Sequence, residues 1–158
     1  MRNLLSFPNP VNERAARVVA GVVAVASAIT LIFGWYWLLV PIAYGFVARV
    51  LTGPTLSPLG RVAMKVAPRF GEPVYVAGPP KRFAQGIGAV CTVAAAIFAL
   101  ALGWHLGADV VLAMMVVFAT LESVFALCVG CKIFGALMTL GVIPETACEA
   151  CGDLVLSR

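Results

Sequence analysis

Four long apolar stretches, separated by short polar or aromatic breaks, dominate the pattern of the chain. A helix needs about 20 predominantly apolar residues to cross a bilayer, and these stretches approach or reach that length. The pattern therefore predicts an all-α fold, an integral membrane four-helix bundle within a single domain of residues 1–158. The four spans are predicted at about residues 14–33, 37–52, 83–104 and 109–131.

The connections between the spans differ in length and character. Gly34–Trp37 and Gly103–Ala108 are short turns with aromatic residues, which are typical of a membrane interface. Residues 53–82 form a long polar loop, in which Ser57 followed by Pro58 predicts the start of a short amphipathic helix on the membrane surface. Residues 132–158 form a tail that begins with an interfacial helix at about residues 133–143. Two further helix caps are predicted, Asn12 for the first span and Asp109 for the fourth.

The composition and the positions of the charges support this assignment. Hydrophobic residues make up 62% of the chain and charged residues 11%, whereas a soluble domain carries roughly a quarter of charged residues. The net charge is +4, and no Lys or Arg lies in either short turn. Basic residues that alternate in this way with apolar spans follow the positive-inside rule and do not resemble a nucleic-acid surface. We therefore predict a multi-pass protein of the cell membrane, surrounded by lipid, with both termini and the long loop in the cytoplasm.

Two cysteine pairs with the same spacing are the main candidates for chemistry. Cys128 and Cys131 lie at the far end of the fourth apolar stretch, and Cys148 and Cys151 come after 16 intervening residues. Two Cys-x2-Cys pairs at such a distance fit a four-cysteine metal site, because tetrahedral zinc takes four thiolates. A zinc or iron–sulfur site of this kind would pin the tail to the bundle in a non-enzymatic scaffold.

The same cysteines also fit thiol chemistry. In this hypothesis Cys128 and Cys131 are the working pair, while Cys148 and Cys151 exchange electrons or sulfur with a soluble partner. The pair is predicted at the cytoplasmic, reducing side, which favours a thiol–disulfide or persulfide relay over oxidative folding. A third hypothesis is a small transporter for a sulfur species, whose path is lined by Glu122 and Cys128. The residues alone leave these alternatives open.

Glu122 is a carboxylate in the middle of the fourth apolar stretch, where it is a candidate proton acceptor. Inserting such a charge into a bilayer costs about 2.5–3.5 kcal/mol, so it should face the bundle interior and have a partner. We expect that partner to be Tyr44 or Arg49. In a continuous helix Cys128 and Cys131 would lie about 120° and 180° around the axis from Glu122, out of its reach. Only a break in the helix, for example at Gly130, would bring them together.

Several segments of the chain resemble a family of membrane proteins called domain of unknown function 4395. These segments are PPKRFAQGIGAVC before the third apolar stretch and FALCVGCKIF at the end of the fourth, and the extension GVIPETACEACGDL is similar to the actinobacterial branch. The resemblance implies the four-span topology. It also implies a soluble thioredoxin-like or sulfurtransferase partner. A second copy of the chain, in a homo-oligomer, is an alternative partner.

Overall fold

The computed structural model describes residues 7–144, and this part of the chain is nearly all helical. The α-helices are α1 (Glu13–Phe33), α2 (Leu39–Thr52), α3 (Pro58–Val66), α4 (Gly78–Ala96), α5 (His105–Phe125) and α6 (Val129–Thr139). A π-helical turn, Ile97–Ala101, extends α4, and two 3-10 turns lie at Tyr36–Leu38 and Ala67–Phe70. The prediction of a mainly helical fold is therefore confirmed.

A two-stranded antiparallel sheet is the exception to the predicted all-α class. Strand β1 (Val11–Asn12) pairs with β2 (Tyr75–Val76), and Val11 lies opposite Val76. The backbone N–H of Glu13 donates to the carbonyl of Val74 at 2.8 Å, which extends the contact to the start of α1. The sheet fixes the residues before α1 against the long loop.

Three of the helices are long and apolar enough to cross a membrane, which suggests a membrane protein. They are α1, α4 with its π-helical extension, and α5, whereas α2 is shorter. Large apolar side chains such as Ile32, Val90 and Phe125 are exposed along these helices. A soluble protein rarely leaves so much contiguous apolar surface in water.

The helices pack in pairs around a core of small side chains. The main contacts join α1 to α5 and α2 to α4, while α3 packs on α1 and α6 packs on α4. Ala95 and Ala108 are fully buried next to Leu39 and Leu112. Small residues let helix backbones approach closely, as they do in membrane bundles.

The caps predicted for α1 and α3 are confirmed. The side chain of Asn12 accepts hydrogen bonds from the N–H groups of Arg14 and Ala15, and Ser57 Oγ accepts one from Gly60. The cap predicted at Asp109 is wrong, because α5 already begins at His105. Asp109 instead accepts a hydrogen bond of 2.9 Å from the Tyr36 hydroxyl, which ties the two short turns together.

Two predicted span boundaries differ from the helices of the structure. The third apolar helix begins at Gly78 and not at Phe83, because the prolines that follow Gly78 occupy its first turn, where their missing N–H groups need no partner. The fourth ends at Phe125 and does not continue to Cys131. The first difference moves Lys81 from the long loop into the first turn of α4. The second moves Cys128 and Cys131 out of the fourth apolar helix.

A left-handed residue produces the break after α5. Ala126 has φ 55° and ψ 23°, and its N–H bonds to the carbonyl of Leu121. Arg17, on α1, donates to the carbonyls of Ser123 and Val124, both at 3.0 Å. These carbonyls lie at the end of α5, where they lack helical partners, and a cation there also favours the helix dipole.

Candidate functional site

Cys128 and Cys131 form a disulfide at the start of α6. Their Cα atoms lie 5.2 Å apart. Cys128 is the N-cap of α6, and its Sγ accepts a hydrogen bond of 3.2 Å from the N–H of Cys131. The prediction that both cysteines lie in the last turns of the fourth span is wrong, because the break at Ala126 moves them to a new helix. Backbone N–H groups at a helix N-terminus stabilise negative charge, and here they are directed at a sulfur.

A close contact with α4 holds the first turn of α6 in place. Gly130 lies so near Ala84 that a Cβ atom at position 130 would be 2.6 Å from the Ala84 Cβ. Phe134, one turn later, is buried and packs against the ring of Phe83, with the ring centroids 5.6 Å apart. Helix α6, which carries the cysteine pair at its start, therefore packs mainly on α4.

The break brings Glu122 and Cys128 to the same cavity. This cavity has a volume of about 110 Å³ and is lined mainly by apolar side chains of α1, α4 and α5. Cys91, a free and half-buried thiol on α4, also lines it, together with Gln85. The condition stated from the sequence, that only a break in the helix would bring Glu122 to the cysteines, is thus met at Ala126.

Glu122 has Lys81 as its partner. Lys81 Nζ lies 2.8 Å from Glu122 Oε1, and the two side chains are 7% and 16% exposed, so the pair is largely desolvated. The expected partners, Tyr44 and Arg49, bind elsewhere: the Tyr44 hydroxyl donates to the carbonyl of Leu56, and Arg49 donates to Gln85 and Ser57.

Lys81 is the site residue that the sequence reasoning missed. The sequence pattern predicts a loop over residues 53–82 and a span from residue 83, which leaves Lys81 in the loop. Two prolines at the first positions of a helix are typical of a helix start, and that signal would have placed Lys81 one turn inside α4.

The second cysteine pair cannot be placed relative to this site. Cys148 and Cys151 lie outside the described residues, so the four-cysteine metal site and the shuttle role of the tail both remain predictions. Within residues 7–144, no group of three or more His, Cys, Asp or Glu side chains is close enough to hold a metal ion.

The site thus combines a disulfide at a helix N-terminus with a buried carboxylate–ammonium pair at the same cavity. Cys128 and the Glu122 carboxylate both line this cavity. The predicted roles of Cys128, Cys131 and Glu122 in chemistry remain predictions, and the structure adds Lys81 to them.

Comparison with known proteins gives a family. No curated protein and no solved structure matches the chain. One family model, described as Domain of unknown function (DUF4395), matches residues 11–139, which include all six α-helices and the first cysteine pair. The chain belongs to this family.

Proposed function

We propose that the protein is a membrane thiol–disulfide protein whose working group is the Cys128–Cys131 pair. The observation that carries the proposal is the position of this pair. The two sulfurs are bonded at the N-terminus of α6, with Cys128 at the cavity that also contains Glu122. An ordinary structural disulfide has no need of a nearby buried carboxylate or of a helix N-terminus.

The two cysteines differ in exposure, which assigns them different roles. Cys131 is half-buried and Cys128 is 8% exposed, so a thiolate of a soluble partner reaches Cys131 first. Its attack forms a mixed disulfide with Cys131 and releases Cys128 as a thiolate, which the N–H of Cys131 stabilises. The second thiol of the partner then attacks the mixed disulfide and releases Cys131. The partner is oxidised to a disulfide, and the protein gains two electrons and two protons.

The proposal includes the orientation of the site in the membrane. Every Lys and Arg of the described residues lies at one end of the bundle, with the starts of α1 and α4, the end of α2, the long loop and α6. By the positive-inside rule this end is cytoplasmic. The partner is therefore a cytoplasmic dithiol or persulfide protein, such as a thioredoxin-like protein or a sulfurtransferase.

The test measures the redox state of the pair in the purified protein. The protein in neutral detergent is equilibrated with a soluble dithiol and its disulfide at several ratios, alkylated, and analysed by peptide mass spectrometry. We expect Cys128 and Cys131 to become available for alkylation together as the ratio of dithiol to disulfide rises, and to be protected again when it falls. The midpoint ratio should be the same in Cys91→Ser as in the wild type.

Two results would contradict the proposal. One is a pair that no dithiol reduces until the protein unfolds, since such a disulfide is structural. The other is a bound metal that is lost when either cysteine pair is changed to serine, since this supports the four-cysteine site.

A further inference from the structure

A second cavity lies at the basic end of the bundle, beyond Lys81. It has a volume of about 130 Å³ and is walled mostly by apolar side chains from the segment before α1, from α1, and from the region between α2 and α3. Lys81 and Gln85 line it, and Gln85 also lines the cysteine cavity. The Lys81–Glu122 pair therefore lies between the two cavities.

Arg49 also lines the second cavity, and it is almost completely buried. Its residue exposure is 6%. Nε donates to Gln85 Oε1 at 2.9 Å and Nη1 donates to Ser57 Oγ at 3.3 Å. Nη2 is buried as well and has no hydrogen-bond partner among the residues that the structure describes.

The charges around this cavity do not balance. Arg49 and Lys81 are both buried cations, and Glu122 is the one carboxylate within residues 7–144 that forms an ion pair. The groups that Arg49 contacts are neutral: an amide, a hydroxyl and the ring of Phe46, whose centroid lies 4.6 Å from the guanidinium carbon. Glu122 also attracts Arg49 at longer range, but its carboxylate is already paired with Lys81. Two buried cations therefore share one negative charge, which is destabilising. A guanidinium and an ammonium group that line one cavity form a donor set that binds oxyanions.

We infer that this cavity is a binding site for a phosphate-type oxyanion, held by Arg49 Nη2 and Lys81. An anion there supplies the missing negative charge and pairs the unsatisfied donor. The apolar walls accommodate an apolar group attached to the oxyanion. The oxyanion is either the headgroup of an anionic lipid or a free phosphate, and the two sources share the same recognition chemistry. The inference does not depend on the redox role of the cysteines.

The experiment measures thermal unfolding of the delipidated full chain in neutral detergent. Inorganic phosphate is titrated against sodium chloride of equal ionic strength, and phosphatidylglycerol is titrated against phosphatidylcholine. We expect one of the anions to raise the midpoint of thermal unfolding until the effect saturates. Native mass spectrometry should then count about one bound molecule per chain. In Arg49→Gln the half-saturating concentration should rise at least about tenfold, because a charge-assisted hydrogen bond is lost. Arg61→Gln, a matched change at an exposed arginine of α3, should leave it unchanged.

The outcomes separate the two sources and can overturn the inference. Saturation by phosphate assigns the site to a free oxyanion, and saturation by phosphatidylglycerol alone assigns it to a lipid headgroup. A wild-type chain that neither anion stabilises, or an equal loss in Arg49→Gln and Arg61→Gln, would overturn the site. If Arg49→Gln does not fold, Arg49→Lys keeps the charge but lacks the guanidinium fork, and it should bind more weakly than the wild type.

Discussion

The ion pair of Lys81 and Glu122 joins the first turn of α4 to the last turn of α5, at the wall between the two cavities. Bringing both charges out of water is costly, and their attraction repays this only while both partners are present. Because Glu122 borders the cysteine cavity, the pair also fixes the position of the carboxylate nearest to the thiol chemistry. Stability and redox chemistry should therefore depend on these two residues in different ways.

Removing one partner of this pair should cost more than removing both. We expect Lys81→Met and Glu122→Leu each to lower the free energy of unfolding by about 3 kcal/mol or more, because each leaves a buried charge without its partner. The double variant should lose less than either single variant, because it leaves no unpaired buried charge. Denaturant unfolding in neutral detergent, arranged as a double-mutant cycle, measures this. Additive losses would show that the two side chains do not interact as the 2.8 Å distance indicates.

The redox role of Glu122 requires a separate variant that keeps the shape of the side chain. Glu122→Gln retains an acceptor for Lys81 but cannot exchange a proton in the same way. We expect this variant to remain folded. The rate at which a dithiol reduces the Cys128–Cys131 disulfide should depend on pH in a different way from the wild type. An unchanged profile would assign Glu122 a structural role only.

At the scale of elements, the short helix α6 decides where the cysteine pair lies. It begins at the break after Ala126 and contacts α4 through a position that has no side chain, Gly130. A second glycine of the same helix, Gly135, has open space around its missing Cβ. The two glycines therefore provide a matched pair of substitutions in one helix.

We expect Gly130→Ala and Gly135→Ala to have opposite effects. Alanine raises the intrinsic stability of a helix relative to glycine by about 1 kcal/mol, which should make Gly135→Ala neutral or stabilising. At position 130 the new methyl group would meet Ala84 at 2.6 Å, and α6 would have to move away from α4. Gly130→Ala should therefore unfold at a lower temperature and expose the disulfide to faster reduction. Equal behaviour of the two variants would show that α6 does not dock on α4 in this way.

The hydrophobic pattern predicted the elements whose signals are local. Asn12 and Ser57 capped helices as expected, and the long apolar stretches formed helices. The end of α5 could not be predicted, because the left-handed residue is an alanine, whereas glycine is the usual signal for such a stop. That break depends on a partner distant in sequence, Arg17, whose side chain caps the freed carbonyls.

The candidate site shows the same difference between local signals, which could be predicted, and contacts between distant residues, which could not. The cysteine spacing pointed to Cys128 and Cys131 directly, and a carboxylate in an apolar stretch required a buried partner. The identity of that partner depended on where α4 begins, since a helix start at Phe83 would have left Lys81 in the loop. Which distant charges pair depends on how the helices pack, and the periodicity of the sequence does not indicate that packing.

At the scale of the whole molecule, the charges divide the bundle into two different ends. The basic end contains the cysteine pair, the ion pair and both cavities, while the other end has Tyr36 stacked on His105 with ring centroids 4.6 Å apart. Exposed apolar side chains of the long helices, such as Val25, Val90 and Val117, lie between them. If the chain crosses the membrane, the candidate chemistry within residues 7–144 lies on a single side, and the compartment of that side determines which thiol partners are available.

Labelling of single cysteines in intact cells tests this orientation. The five native cysteines are replaced by serine, and one new cysteine is introduced at each end: Arg61→Cys in α3, and Leu102→Cys, whose side chain is 65% exposed before α5. A membrane-impermeant maleimide should label Leu102→Cys in intact cells but label Arg61→Cys only after permeabilisation, because the basic end stays in the cytoplasm. The reverse pattern would place Cys128 and Cys131 on the oxidising side of the membrane. A dithiol partner in the cytoplasm would then be unable to reach them, and disulfide formation would become the favoured chemistry.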